Sequence, residues 1–126
     1  MNNNMAKKIL VIEDDKDIRD SIAFILEDQG YEVTTSEDSK ILKSLDTLDP
    51  DIILLDNWLT EWKSDASGQQ ISKSLKSDPA TSHIPVIIIS AVSDVERIAK
   101  EGLANDYLRK PFGMDELTDM VKKYLK

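Results

Sequence analysis

The stretch Asp51-Ile52-Ile53-Leu54-Leu55-Asp56 places four consecutive apolar residues directly before an acid, and similar runs occur on either side of it. Residues 9–12 are Ile-Leu-Val-Ile, followed by acids, and residues 86–89 are Val-Ile-Ile-Ile, followed by a serine. Short unbroken runs rich in Ile and Val are typical of strands that are covered on both faces, as in a parallel sheet. The three runs therefore predict three buried strands of an α/β sheet.

The segments between these runs carry apolar residues at helical spacing, which predicts five helices. The first helix is expected to begin after Asp15, a residue type favoured at helix N-caps, and to end at Gly30. Two further strands are predicted at residues 31–35 and 106–108. The apolar positions of the five helices are Ile18, Ile22, Ile25 and Leu26; Ile41, Leu42, Leu45 and Leu48; Ile71 and Leu75; Val95, Ile98 and Ala99; and Met114, Leu117, Val121 and Leu125. A strand–helix order repeated five times predicts a parallel sheet with helices on both faces.

Length, composition and charge limit what the chain can be. Its 126 residues suit one domain, which we expect to occupy residues 1–126, with a flexible start at residues 1–6 and no attached output domain. The absence of cysteine excludes disulfides and thiol chemistry. No apolar stretch approaches the ~20 residues of a membrane span, and a net charge of −8 argues against a nucleic-acid partner. We therefore expect a cytoplasmic protein.

Polar residues of complementary chemistry follow four of the five predicted strands. Glu13 and Asp14 follow the first, Asp56 the third and Ser90 the fourth, and Lys110 comes just after the fifth. Ligands of an open α/β sheet bind beyond the carboxyl ends of the strands, so these side chains are expected to meet. Clustered carboxylates repel one another, and Mg²⁺, which prefers oxygen ligands, relieves that repulsion. An aspartate can itself be the nucleophile that takes a phosphoryl group, while an ammonium and a hydroxyl contact the phosphoryl oxygens.

Four segments of the sequence, in order, resemble the response-regulator receiver domains of two-component signalling, the CheY-like family. The resemblance covers the chain from about Lys7 to its end. The segments are Lys8-Ile-Leu-Val-Ile-Glu-Asp-Asp15, Pro50-Asp-Ile-Ile-Leu-Leu-Asp56, Pro85-Val-Ile-Ile-Ile-Ser-Ala91 and Asp106-Tyr-Leu-Arg-Lys-Pro-Phe112. This resemblance implies a flavodoxin-like (βα)5 fold, a doubly wound parallel sheet of five strands in the order 2-1-3-4-5.

The resemblance also implies the residues of the site. Asp56 matches the aspartate that accepts the phosphoryl group, and Lys110 matches the lysine beside it. Glu13 and Asp14 match the acid pair that holds Mg²⁺, together with Asp56 and the backbone carbonyl of Trp58. On this basis the cofactor is Mg²⁺, and the chain is not an enzyme but promotes only its own phosphorylation and dephosphorylation.

A switching role and two kinds of partner follow from the same resemblance. Ser90 matches the switch hydroxyl and Tyr107 the switch aromatic, while Pro111 matches a proline that is often in cis linkage. The implied donor is a histidine kinase or a histidine phosphotransfer protein. The implied target is a downstream protein that contacts the surface around the fourth helix, fifth strand and fifth helix. We expect a monomer or weak dimer without direct contact with nucleic acid or membrane.

The chain departs from the family pattern in two loops. Thr60 stands where a proline is usual, and the first glycine after Asp56 is Gly68, so the loop contains extra residues within 61–66. Those residues could alter access to the site or contact a partner. The stretch from Ser90 to Lys110 is shorter than usual, and a leucine, residue 103, replaces an expected glycine.

Trp58 and Val92 occupy the two positions that usually tune hydrolysis of the phosphoaspartate in this family. Both side chains are apolar. The sequence therefore predicts that water reaches the phosphoaspartate poorly and that the phosphorylated form is long-lived.

Two other functions are open from the sequence. A constitutive adaptor would keep the fold and ignore phosphate, which the altered loops favour and the complete set of site residues disfavours. A flavodoxin-type cofactor domain would need a glycine- and hydroxyl-rich cradle after the first strand, where this chain has Glu13-Asp14-Asp15. The lone histidine, His83, precedes the fourth strand and is expected in a loop at the opposite edge from the acids, and Trp62 matches no motif.

Overall fold

The computed structural model describes residues 6–57 and 67–125, and its elements follow the predicted alternation of strand and helix. The elements are β1 (Lys8–Ile12), α1 (Lys16–Asp28), β2 (Glu32–Ser36), a 3₁₀ helix (Ser39–Ser44), α2 (Leu45–Leu48), β3 (Ile52–Asp56), α3 (Gly68–Ser77), β4 (Val86–Ser90), α4 (Val95–Glu101), β5 (Asp106–Arg109) and α5 (Met114–Tyr124). For β2 and β5, the observed strand boundaries differ from the predicted ones by at most one residue.

The five strands form one parallel sheet in the order β2-β1-β3-β4-β5, which confirms the predicted fold class and strand order. Val11 of β1 lies opposite Leu54 of β3, and Leu55 of β3 lies opposite Ile88 of β4. The chain turns to one side of β1 to form β2 and returns to the other side to form β3. Ligands of doubly wound sheets bind beside this reversal, at the carboxyl ends of β1 and β3.

Both faces of the sheet are buried because successive side chains of each apolar strand point into opposite cores. One core joins alternate strand residues to α1 and α5 through Ile9, Val11, Ile52, Leu54, Ile87, Ile89, Ile22, Leu26, Leu117 and Val121. The other core joins the remaining strand residues to α2 and α3 through Leu10, Ile12, Ile53, Leu55, Val86, Leu45, Ile71 and Leu75. Full burial of such a side chain contributes about 1.5–3 kcal/mol, so the cores hold the strand ends in place.

The predicted second helix is the one element that takes a different form. The segment begins as a 3₁₀ helix capped by Asp38 and becomes α-helical only over Leu45–Leu48. Its leucines, Leu42, Leu45 and Leu48, recur every three residues, and three residues per turn is the period of a 3₁₀ helix. Leu42 lies in the 3₁₀ turn, whereas Leu45 and Leu48 lie in the α-helical part, and all three pack into the same core of the sheet.

Caps and turns set the remaining boundaries. The carboxylate of Asp15 accepts a hydrogen bond from the Ile18 N–H at 3.1 Å, which confirms the predicted N-cap of α1. The helix ends at Asp28, before Gly30. Leu103, where a glycine was expected, has a φ of 61° and lies in the left-handed region, and its side chain is half exposed.

His83 is exposed and lines a polar cavity with Lys7 and Asp51, at the opposite edge of the sheet from the acids, as predicted. Within residues 6–57 and 67–125, no helix has both the length and the apolar character that crossing a membrane would require. Location in the cytoplasm and the oligomeric state remain predictions.

Candidate functional site at the carboxyl edge of the sheet

Three carboxylates from two adjacent strand ends meet at the point where the strand order reverses. Asp56 is the last residue of β3, and Glu13 and Asp14 directly follow β1. Glu13 and Asp56 are buried, whereas Asp14 is exposed. One carboxylate oxygen from each residue lies within 4.8 Å of the others. The structure thus places together the three acids that the sequence analysis singled out.

Lys110 inserts its ammonium between two of these acids. Its Nζ donates a hydrogen bond to Asp56 Oδ1 at 3.0 Å and lies 3.0 Å from Glu13 Oε1. The contact with Glu13 is an ion pair whose angle does not make a hydrogen bond, so Glu13 Oε1 has no hydrogen-bond partner among the described residues. One ammonium group therefore pairs with two buried carboxylates. The buried Glu13 Oε1 faces the cluster without a hydrogen bond from the described residues.

The pKa values of both buried acids are raised. Burial raises the pKa of Asp56 to about 7, and the negative charge of Glu13 adds to this effect while Lys110 opposes it. Burial likewise raises the pKa of Glu13, against the ion pair with Lys110. Burial alone would lower the pKa of Lys110, but the two carboxylates outweigh it and the net direction is upward. Both buried acids therefore favour the protonated form more than an exposed carboxyl group does.

Two backbone contacts hold the end of β1 in place. Glu13 Oε2 accepts a hydrogen bond from the Asp15 N–H at 3.2 Å. Arg19, on the first turns of α1, donates to the Glu13 carbonyl at 2.9 Å. Sequence reasoning missed Arg19, although a basic residue one helical turn beyond a run of acids was the available signal.

Ser90 and Tyr107 lie on the next two strands. Ser90 is buried at the end of β4, and its Oγ accepts a hydrogen bond from the Val92 N–H at 3.2 Å. Tyr107 is half-buried against the cluster of Ile88 and α4, and the Arg109 guanidinium lies 5.9 Å from the centre of its ring. Among the described residues the Ser90 Oγ accepts this hydrogen bond and donates none, and the Tyr107 ring borders the helix that follows Ser90.

The peptide between Lys110 and Pro111 is cis, as the resemblance implied, and the Lys110 N–H donates to the Ser90 carbonyl at 2.9 Å. The predicted metal contact of the Trp58 carbonyl lies outside the described residues, as does the loop stretch 61–66. Asn57 and Gln69, which flank that loop, were not predicted as site residues.

The acidic cluster has the donor set that Mg²⁺ prefers. All three groups offer carboxylate oxygens, one of them an oxygen without a hydrogen bond, and hard divalent cations take oxygen ligands. A cation there would also stabilise the charged carboxylates that burial disfavours. Glu13, Asp14 and Asp56 could therefore hold a magnesium ion.

Comparisons with known proteins agree with this geometry. The family profile of the response regulator receiver domain matches residues 9–122. The phosphate regulon transcriptional regulatory protein PhoB of Escherichia coli (strain K12) is 36% identical over 125 residues, which cover 97% of this chain and 53% of PhoB. The chain thus spans about half the length of the PhoB proteins that it matches.

Two further relatives match over nearly their whole length. The polar-differentiation response regulator DivK of Brucella ovis is 32% identical over 127 residues, covering 96% of this chain and 98% of DivK. The crystal structure of the receiver domain of NtrX from Brucella abortus has a TM-score of 0.80 and 32% identity, covering 93% of this chain and 97% of that one. Sequence and structure therefore lead to the same family.

Proposed function

The chain belongs to the response regulator receiver domain family, and from that premise we propose that Asp56 accepts a phosphoryl group in a phosphorelay and thereby switches a protein-binding surface. One observation carries the proposal: the buried Asp56 carboxylate lies among Glu13, Asp14 and the Lys110 ammonium at the carboxyl edge of the sheet. A receiver domain implies a histidine kinase or a histidine phosphotransfer protein as the donor.

The proposed step moves a phosphoryl group from a phosphohistidine to Asp56. A carboxylate oxygen of Asp56 attacks phosphorus, a P–O bond forms, and the P–N bond of the donor breaks. The electron pair of that bond returns to the imidazole nitrogen, which leaves as neutral imidazole once it carries a proton. The product on this chain is an acyl phosphate. We propose that the chain performs no chemistry beyond its own phosphorylation and dephosphorylation.

The chain's own residues position the phosphoryl group and balance its charge. Lys110 already contacts Asp56, so its ammonium is within reach of an oxygen on the added phosphoryl group. Among the described residues the Ser90 Oγ only accepts, so its hydroxyl hydrogen is available to the phosphoryl group. Magnesium bound by Glu13, Asp14 and Asp56 supplies positive charge that phosphoryl transfer requires.

The output is proposed to run through Ser90 and Tyr107. A rotation of the Ser90 side chain toward the phosphoryl group would carry its Oγ away from the Val92 N–H, at the start of the segment that leads into α4. Tyr107 packs against the same segment and follows its movement. The surface formed by α4, β5 and α5 would then bind a downstream protein with an affinity that differs between the two states.

The first test is whether Asp56 takes phosphate. Incubation with a small phosphodonor and Mg²⁺ is expected to add one phosphoryl group per chain, because the acceptor, its cation partners and the metal ligands are all present. Intact-mass spectrometry measures it, and Asp56→Asn with Mg²⁺ and wild type with a chelator are the controls. An unmodified wild-type chain would instead support the constitutive adaptor.

The second prediction concerns the lifetime of the phosphorylated form. Val92 is half-buried and apolar, and the family's other tuning position holds Trp58, so we expect slow attack by water. Release of inorganic phosphate from the purified phosphorylated chain should be slow, with Val92→Asn as the comparison that speeds it. A half-life of seconds for the wild type would contradict this expectation.

A further inference from the structure

Asn57 is a buried polar residue that the proposed reaction does not use. It directly follows Asp56, and only 3% of it is exposed. Its N–H donates to the Ile89 carbonyl of β4 at 3.0 Å, so its backbone continues the sheet for one residue beyond β3. A buried amide side chain requires hydrogen-bond partners.

Asn57 binds the first turn of α3 through two acceptors. Its backbone carbonyl accepts from the Gly68 N–H at 2.8 Å, and its side-chain Oδ1 accepts from the Gln69 N–H at 3.1 Å. The first N–H groups of a helix have no acceptor within the helix, and Asn57 supplies acceptors for two of them. The two ends of the loop between Asn57 and Gly68 are thereby joined at the acceptor strand.

The approach of the two elements is too close for any side chain at residue 68. A Cβ placed on Gly68 would lie 2.5 Å from the Asp56 carbonyl oxygen and 2.8 Å from the Asn57 Cα. Both of those atoms are backbone, so they cannot move aside without moving the acceptor strand itself. The start of α3 therefore lies directly against the backbone that carries the Asp56 carboxylate.

Gln69 extends the contact to α4. Its Nε2 donates to the Ile98 carbonyl at 3.2 Å and to Glu101 Oε1 at 3.3 Å. At Gly102, directly after α4, an added Cβ would lie 2.9 Å from the Gln69 carbonyl oxygen. The first turn of α3 is thus held between the end of β3 and the end of α4, and it cannot shift independently of either.

We propose that Asn57 is a positioning residue, whose side chain sets the backbone of Asp56 for binding Mg²⁺ and accepting phosphate. The side chain is anchored on the first turn of α3, and Gln69 ties that turn to α4. This inference rests on the proposed function. Groups that orient the ligands of a metal commonly change its affinity 10–100-fold when removed. Losing the Asn57 amide leaves the Gln69 N–H unpaired and removes one of the two hydrogen bonds that join the end of β3 to the helix.

The test compares three variants by Mg²⁺ titration calorimetry, by phosphorylation rate and by urea denaturation. Asn57→Leu removes the acceptor at similar volume and is expected to weaken Mg²⁺ binding about tenfold or more and to slow phosphorylation with it. Gln69→Met removes only the contacts with α4, and a smaller loss in the same direction is expected. Ser67→Ala is the matched control, because the Ser67 hydroxyl caps α3 through the Gln70 N–H and, among the described residues, has no hydrogen bond to the acceptor strand.

The control separates positioning from stability. Ser67→Ala is expected to lower stability, as the loss of an N-cap does, while keeping Mg²⁺ affinity within about twofold of wild type. Unchanged Mg²⁺ affinity in Asn57→Leu, or an equal loss in Ser67→Ala, overturns the inference. If Asn57→Leu does not fold, the Mg²⁺ affinities of Gln69→Met and Ser67→Ala are compared instead. Unchanged affinity in Gln69→Met, or an equal loss in Ser67→Ala, then overturns the inference. A wild-type chain that binds no Mg²⁺ and takes no phosphate overturns the proposed function instead.

Discussion

Asp56→Asn is expected to be more stable than the wild-type chain in metal-free buffer at pH 8, by about 2–4 kcal/mol. Burial and the charge of Glu13 raise the pKa of Asp56 from an ordinary 3.8 to about 7. Above that pH the folded chain must hold a carboxylate that its surroundings disfavour. Asparagine has nearly the same shape and no charge, and Lys110 keeps its ion pair with Glu13.

The stability that Asp56→Asn gains over the wild type should increase with pH. Because the folded state holds the Asp56 proton more tightly than the unfolded state, the stability contributed by this group is present below about pH 4 and is lost as the pH rises through about 7. The advantage of Asp56→Asn is therefore well below its full size at pH 5 and reaches its full size near pH 8. Replacing Asp17, an exposed acid of α1, by Asn is a control without this dependence.

Urea denaturation followed by circular dichroism at pH 5 and pH 8 measures the effect, with and without Mg²⁺. Added Mg²⁺ should stabilise the wild type more than the variant and so reduce the difference. A wild-type chain as stable as Asp56→Asn at pH 8 without metal would show that the acidic cluster is not under electrostatic strain.

Lys110→Met is expected to slow phosphorylation of Asp56 about 10²–10³-fold and to destabilise the metal-free chain. The Lys110 ammonium contacts both buried carboxylates at 3.0 Å, and methionine replaces its stem without the charge. Removing one partner from a buried ion pair leaves the other charge uncompensated, at a cost of about 3 kcal/mol or more. This cost should shrink toward pH 5, where the acids take up protons.

Phosphorylation by a small phosphodonor at saturating Mg²⁺, read by intact mass over time, measures the rate. Lys16→Met is the matched control, because Lys16 also pairs with an aspartate, Asp20, but on the exposed face of α1. Exposed pairs contribute little, so this control should behave as wild type. A Lys110→Met chain that is phosphorylated at the wild-type rate would remove Lys110 from the proposed reaction.

The core strands and the acidic cluster could be predicted because their signals are local. An unbroken apolar run such as residues 52–55 is buried on both faces in any parallel sheet, and the residue that follows it emerges at the carboxyl edge. The alternation of strand and helix then brings the ends of β1, β3 and β5 to one side. Glu13, Asp56 and Lys110 could be expected to meet before any coordinate was known.

Other features depend on contacts between distant segments. The leucines of residues 42–48 suit an α-helix or a 3₁₀ helix, and packing against the sheet decided between them. The sequence indicated little about Asn57 except that it is a polar residue after a buried strand. Its partner Gln69 lies beyond a loop that contains extra residues, so no short pattern links the two. Arg19 likewise acts on a backbone carbonyl, so its place one helical turn beyond the acids was only a weak signal.

The sequence by itself determined the fold class, the strand order by way of a family resemblance, and which chemical groups lie at the sheet's carboxyl edge. Only the tertiary structure decided how those groups interact: which oxygens Lys110 contacts, that Glu13 and Asp56 are buried, and that α3 lies against the backbone of Asp56. The physical reason is that burial and hydrogen-bond geometry depend on the whole packed chain, whereas the pattern of apolar residues is encoded position by position.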